Sequence, residues 1–452
     1  MASRSTHKLL RVIKTEEPGF ESGFAAVCDR SETEAVAEKD VRKLIDRVRT
    51  GGDAELLAIV NKAARSKLES FEVGRDEWDE ACESIDGSDR AALGKAAMRV
   101  RDFHRRRIPS SWEMREEGGA FLGQKVRALE RVGIYARAKS LRAPSSIIMN
   151  TIPASVVEVP EIVLAVAAEH DQRVDPTILT AARVAGVHRV FKMSGPAAIG
   201  AMAYGTETVP AVDKIVGRGE AAIAAAKRVV ASQVAVDAEG GPSEVCIVAD
   251  RSATPGWLAA DILSQAEQDE SARVVLITHT KALATRVQDQ VVKQLVGLDR
   301  AKVAKASLST RGVILLTRNL AESITLANRY APEHLVLAIE DPEGAMKTVF
   351  NAGAIFLGHY TPVAVGDYLA GPNSVLPTGG MARFSSPLGV DDFLKRTSFM
   401  KFEPPKLREL GAEVIRLSEV EGLGGNGKSI DLRLQKIRRV RREREAAREA
   451  GI

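Results

Sequence analysis

Residues 175–193, DPTILTAARVAGVHRVFKM, read as a helix followed by a strand. Asp175 before Pro176 is an N-cap ahead of a proline at the first helical position, and Gly186 can close the helix. The run HRVFKM at 188–193 then predicts a strand, and EIVLAVA at 161–167 predicts another ahead of the helix. Strand, helix and strand make a βαβ crossover, which joins parallel neighbours. The same texture runs through ERVGIY, DKIVG, EVCIVAD, RVVLIT, GVILLT, HLVLAI and AIFLG, from Glu130 to Gly358. Strands alternating with helices predict parallel sheets with helices on both faces.

Two runs of such units predict two doubly wound, Rossmann-like α/β domains, 117–250 and 251–380. Thr254-Pro255 repeats the opening signal, for a helix through Trp257, Leu258, Ile262 and Leu263 that ends near Gln268. Ahead of them, Val41, Leu44, Ile45 and Val48 recur at helical spacing, so 1–116 is expected to be a mostly helical N-terminal part. Residues 381–452 are expected to form a helical C-terminal part. There LGGNGK at 423–428 predicts a flexible joint before a final helix.

Composition excludes several classes. The chain has 452 residues, 45% hydrophobic and 27% charged, ordinary proportions for a globular protein. No uncharged apolar stretch is long enough to span a membrane, and the polar N-terminus lacks a secretory core segment, so a cytoplasmic location is expected. Cys28, Cys82 and Cys246 are far apart and form no C-x-x-C pair, which argues against disulfides and against a cysteine zinc site. A net charge of +4 is too small to imply nucleic acid. The basic run KIRRVRREREAAREA at 436–450 alternates arginine with glutamate, as a solvated amphipathic helix does.

Four groups of residues can carry chemistry. Gly217-Arg218-Gly219-Glu220-Ala221-Ala222 follows the strand DKIV and has the form G-x-G-x-x-A. Glycines there admit a pyrophosphate to a helix N-terminus, although a tight strand-to-helix turn needs them equally. Pro332-Glu333-His334 precedes the run LVLAI, at a strand end where open α/β sheets place their sites if that end is the carboxyl one. His334 can take a proton from an alcohol and Glu333 can activate water, although alone such a pair is commonly a surface feature. Gln265 and Gln268 lie one helical turn apart, a spacing at which two side chains can hold one ion, but amides are poor zinc ligands. Asp367 sits on a loop dense in glycine and proline, as a ligand or as a turn cap.

In combination the motifs resemble the histidinol dehydrogenase family over roughly residues 25 to 435. The resemblance rests on RVGIY at 131–135, AYGTETVP at 203–210, VDKI at 212–215 and GGPSEV at 240–245. It continues through LSQAE at 263–267, YAPEHL at 330–335, GDY at 366–368 and VLPT at 375–378. It implies two large α/β domains and oxidation of an amino alcohol to the acid through an aldehyde, with two nicotinamide cofactors in turn and a zinc ion. It also implies a homodimer whose C-terminal segment completes the partner's site. By the resemblance His334 is the general base, Glu333 activates water for the aldehyde step, and Ser243 and Glu421 lie near the substrate.

The same resemblance marks departures. The family's zinc set is a glutamine, an aspartate and two histidines, of which Gln265 and Asp367 remain, while Gln268 and Asn426 replace the histidines. Ser374 replaces a substrate-side histidine. Of the cofactor positions Tyr135, Gly217 and Gly219 match. The turn after Tyr135 reads Ala136-Arg137-Ala138-Lys139, and Ala197 and Glu220 replace a glutamine and an asparagine. The expectation is therefore a zinc-independent oxidoreductase using NAD or NADP on a small polar alcohol other than histidinol. Gln265, Gln268, Asp367, Ser374 and Asn426 would then contact substrate directly. The alternative is a non-redox enzyme in which Glu333 and His334 perform hydrolysis, hydration or proton transfer. Neither nucleic acid nor membrane is expected as a partner.

Overall fold

The computed structural model describes residues 9–30, 38–65, 67–136, 143–169, 171–237 and 241–451. The larger of two compact units runs to Ile108 and resumes over Ala128–Phe393; the smaller joins Pro109–Arg127 to Leu394–Ile452.

All nine strands read from the sequence form, in two parallel sheets that give the larger unit its doubly wound α/β fold. The five-stranded sheet orders Arg189–Lys192, Glu161–Val166, Arg131–Tyr135, Lys214–Val216 and Ala235–Val236. The six-stranded sheet orders Arg11–Lys14, Gly312–Leu316, Arg273–Thr278, Glu244–Ala249, His334–Ala338 and Ala354–Leu357. Both are sandwiched by helices, so their strands are apolar on both faces. Val163, Leu164, Ile247 and Leu337 are completely buried, and each such side chain is worth roughly 1.5–3 kcal/mol relative to exposure.

The capping signals act as chemistry requires at Asp175, whose side chain accepts the Thr177 N–H at 2.8 Å, ahead of helix Pro176–Ala185. Gly186 ends that helix with φ +94°, a left-handed conformation that glycine adopts without a Cβ penalty. Thr254 precedes helix Pro255–Ala266 but makes no side-chain cap.

Several elements differ from expectation. Strand Glu244–Ala249, placed by sequence in the first α/β domain, pairs in the six-stranded sheet between Arg273–Thr278 and His334–Ala338. A strand with an apolar run buried on both faces fits either sheet, and only tertiary pairing selects one. Arg11–Lys14, in the segment expected to be helical, is the edge strand of that sheet beside Gly312–Leu316. Trp112–Glu116 pairs antiparallel with Ala120–Ala128, and Leu394–Phe402 joins them in a three-stranded sheet. In the smaller unit, helix Gly424–Glu449 begins inside LGGNGK, so that stretch is a helix start and not a flexible joint. Gly427 is needed there because a Cβ would lie 2.7 Å from the Ser418 hydroxyl oxygen.

Strand direction fixes where chemistry can sit in the larger unit. Tyr135 and Gly217 lie at the carboxyl edge of the five-stranded sheet, whereas Glu244 and His334 lie at the amino edge of the six-stranded sheet. An Arg218–Glu333 ion pair links those two edges.

Candidate active site

Helix Leu320–Tyr330 ends at Ala331, which takes a left-handed φ of +49°, and the chain then turns through Pro332 and Glu333 into strand His334–Ala338. Glu333 is 1% exposed. Its Oε1 accepts from Arg218 Nη2 at 2.8 Å and its Oε2 accepts from the Glu244 backbone N–H at 2.8 Å. His334 Nδ1 lies 2.9 Å from the Glu244 carbonyl oxygen. A carbonyl only accepts, so Nδ1 carries the hydrogen and Nε2 holds the lone pair. Nε2 is buried without a hydrogen-bond partner and lies 3.9 Å from Asp367 Oδ1. Asp367 stands on helix Val363–Tyr368; burial holds its carboxyl above the usual range, with His334 pulling it down and Glu333 pushing it up.

Glu244 is the hub of the cluster. Its carboxylate pairs with Arg30 at 3.0 Å and accepts the Gly379 N–H at 2.8 Å, while Arg30 also stacks 4.1 Å above the Tyr330 ring. Burial raises the Glu244 carboxyl and Arg30 opposes that shift. Its backbone meanwhile orients both Glu333 and His334.

The turn after strand Lys214–Val216 is rigidly held. Gly217 has φ +120°, and a Cβ there would lie 2.1 Å from the Tyr135 carbonyl oxygen, so only glycine fits. Its N–H donates to Asp237 Oδ2 at 2.9 Å, and Lys227 donates to Asp237 and to the Gly217 carbonyl. Gly219 packs against Ile223 in helix Ala221–Val230. Tyr135 is buried, its hydroxyl oxygen accepting the Gly195 N–H at 3.2 Å. Arg137, Ala138 and Lys139 lie outside the described residues. A cleft of about 340 Å³ opens beside Arg218, lined also by Leu376, Pro377, Ser385 and Asp392.

The other predicted residues spread further. Gln265 is 1% exposed, and both polar atoms of its side chain are buried without partners. Gln268 is only partly buried and falls in the turn after Ala266, its N–H donating to the Gln265 carbonyl at 3.3 Å. Ser243 precedes strand Glu244–Ala249, its carbonyl accepting the Arg273 N–H at 2.9 Å, and Ser374 is half-buried in the loop after Gly371. Glu421 and Asn426 belong to the smaller unit and are exposed, Glu421 at the end of helix Pro404–Val420 and Asn426 in the first turn of helix Gly424–Glu449.

The orphaned Gln265 amide is the kind of atom that awaits a ligand, but Gln268 and Asn426 offer amides where zinc prefers imidazole or thiolate. The Gly217–Gly219 turn suits close approach of a dinucleotide to a helix start, with one backbone N–H already given to Asp237.

Sequence reading missed Arg218, Glu244 and Arg30 as members of the site. Arg218 and Glu244 both lay inside quoted motifs, G-x-G-x-x-A and GGPSEV, but their partners lie 115 and 89 residues away, beyond any local spacing rule. The condition attached to Glu333 and His334, that their strand end be the carboxyl one, is not met: they stand at the amino end.

Fold and comparison together place the chain among α/β oxidoreductase enzymes. The family model described as Histidinol dehydrogenase matches residues 28–434. The chain is 43% identical to the histidinol dehydrogenase of Syntrophotalea carbinolica over 94% of its own length and all of that protein's. It is likewise 43% identical to that of Geobacter sulfurreducens, over the same shares. The crystal structure of histidinol dehydrogenase from Elizabethkingia anophelis superposes with a TM-score of 0.91 at 30% identity, covering 96% of this chain and 99% of that one. The chain belongs to the histidinol dehydrogenase family.

These findings correct the expected function. The reading of a polar alcohol other than histidinol, and its non-redox alternative, rested on imidazoles lost at Gln268, Ser374 and Asn426 and on departures at the cofactor positions 136–139, Ala197 and Glu220. Near-full-length identity to proteins named for histidinol oxidation overturns both. Among the described residues no helix is long and apolar enough to cross a membrane.

Proposed function

We propose that this protein oxidises histidinol to histidine with NAD as the hydride acceptor. The observation that carries the reading is the buried Glu333/His334 pair, oriented by one residue, with the Nε2 lone pair unpaired.

His334 Nε2 takes the alcohol proton while Nδ1 stays bonded to the Glu244 carbonyl, which fixes ring and tautomer. The Gly217–Gly219 turn beside Tyr135 would hold NAD, which would supply the acceptor for the hydride of the alcohol carbon. Glu333 then removes a proton from the water that adds to the aldehyde; each of its oxygens keeps a lone pair after its one hydrogen bond. Gln265, Asp367, Ser374 and Ser243 orient the substrate, Gln265 contributing an amide that nothing else satisfies. NAD is preferred to NADP. A cytoplasmic homodimer to which Glu421 and Asn426 contribute belongs to the same reading.

The test is purified protein with histidinol and each nicotinamide cofactor, following cofactor reduction and histidine formation. Turnover of about one per second or faster with NAD is expected, as for ordinary enzymes. Absence of histidine from the NAD reaction would overturn the proposal.

A further inference from the structure

We propose that Arg218 is a positioning residue for the aldehyde step, fixing the Glu333 carboxylate that activates water. This rests on the function proposed above, because it needs Glu333 to act on water.

Glu333 is a buried carboxylate, and a buried charge persists only when paired and hydrogen-bonded. The Arg218 guanidinium supplies the ionic partner at 2.8 Å. Arg218 is itself held at both ends. Its Nη2 also donates to the Leu376 carbonyl, and its backbone leaves Gly217, which is pinned by Asp237, Lys227 and the closeness of Tyr135. The arginine thus transfers the rigidity of the five-stranded sheet to an acid on the six-stranded one. Glu244 orients Glu333 through Oε2 from its own side, so the two contacts together fix both carboxylate oxygens.

In the aldehyde step the water oxygen bonds to the carbonyl carbon as Glu333 takes one water proton. The former aldehyde hydrogen then leaves as hydride to NAD, so the aldehyde is oxidised, NAD is reduced and the carboxylic acid is released. Removing Arg218 leaves the acid in place but loosens its aim. The alcohol step, in which His334 takes the proton, does not use that aim.

The two half-reactions are measured separately: histidinol oxidation with the aldehyde trapped, and oxidation of supplied histidinaldehyde. Arg218→Ala is expected to lower kcat for the aldehyde about 10- to 100-fold, the scale of a small misplacement of a reacting group, with the alcohol step slowed clearly less. Arg218→Lys should recover part of the loss, because it keeps the charge without the planar fork. Arg218→Gln, which keeps a donor without the charge, should be as slow as the alanine variant and serves if alanine destabilises the fold. Equal slowing of both half-reactions, a change confined to KM, or a normal aldehyde step would each overturn the positioning role. Glu333→Gln is the control. If it oxidises the aldehyde normally, the proposed role of Glu333 fails and the inference with it; if it is slow while Arg218→Ala is normal, only the role of Arg218 falls.

Discussion

The Glu244 carbonyl oxygen sits 2.9 Å from His334 Nδ1, and the N–H of the same residue lies 2.8 Å from Glu333 Oε2. One peptide-bearing residue therefore sets both the tautomer of the histidine and the aim of the acid. It can do so because strands Glu244–Ala249 and His334–Ala338 are parallel neighbours, with His334 opposite Val245. Glu244 is held in turn by Arg30 and the Gly379 N–H.

His334→Asn keeps a polar group but removes the base. Turnover of histidinol should fall by about two to four orders of magnitude, the usual worth of a general base, while the thermal midpoint stays close to wild type. Steady-state assays and melting curves of the same preparations check this. Near-normal turnover would remove His334 from the mechanism.

Zinc should be bound weakly. Gln268 and Asn426 supply amides where the resembled family has imidazoles, beside the retained Gln265 and Asp367, and losing even an outer partner of a metal site costs about 10- to 100-fold in affinity. Elemental analysis of protein purified without added metal should find well under one equivalent, and chelators should leave activity intact. One equivalent of tightly held zinc would show that amides suffice.

His104 is fully buried in helix Gly87–Arg105, neither ring nitrogen having a partner, and burial followed by the Arg107 charge lowers it from 6.5 to about 4. The folded state resists protonation that the unfolded chain accepts, so this contribution is present above about pH 6.5 and is lost as pH falls towards 4. Denaturant midpoints for His104→Leu should depend less on pH across that window than those of wild type. Parallel curves would refute the assignment.

Asp261, on helix Pro255–Ala266, is raised by burial to about 6. An acid with a raised folded value favours folding at low pH, and the benefit is lost as pH rises from 3.8 through about 6. Asp261→Asn should therefore stabilise the protein near pH 8, on the order of 1 kcal/mol once solvent at its exposed edge is allowed for. Thermal melts at pH 3.5 and pH 8 should show the gain at the higher value and little at the lower; a gain at neither would refute the assignment.

Much was legible in the sequence because it is local. Nine apolar runs became nine strands, Asp175 and Gly186 closed their helix, and the pair Glu333-His334 is adjacent in the chain. Burial on both faces of a parallel sheet leaves that signature in any strand, and capping depends on residues a few positions apart. Tertiary structure decided which sheet took Glu244–Ala249, that the pair stands at an amino edge, and that Arg218 and Glu244 reach Glu333 across 115 and 89 residues. Hydrophobic pattern tells a strand that it is buried but not beside whom, and an ion pair between distant loops leaves no period in the sequence. Those contacts exist only once two edges have met.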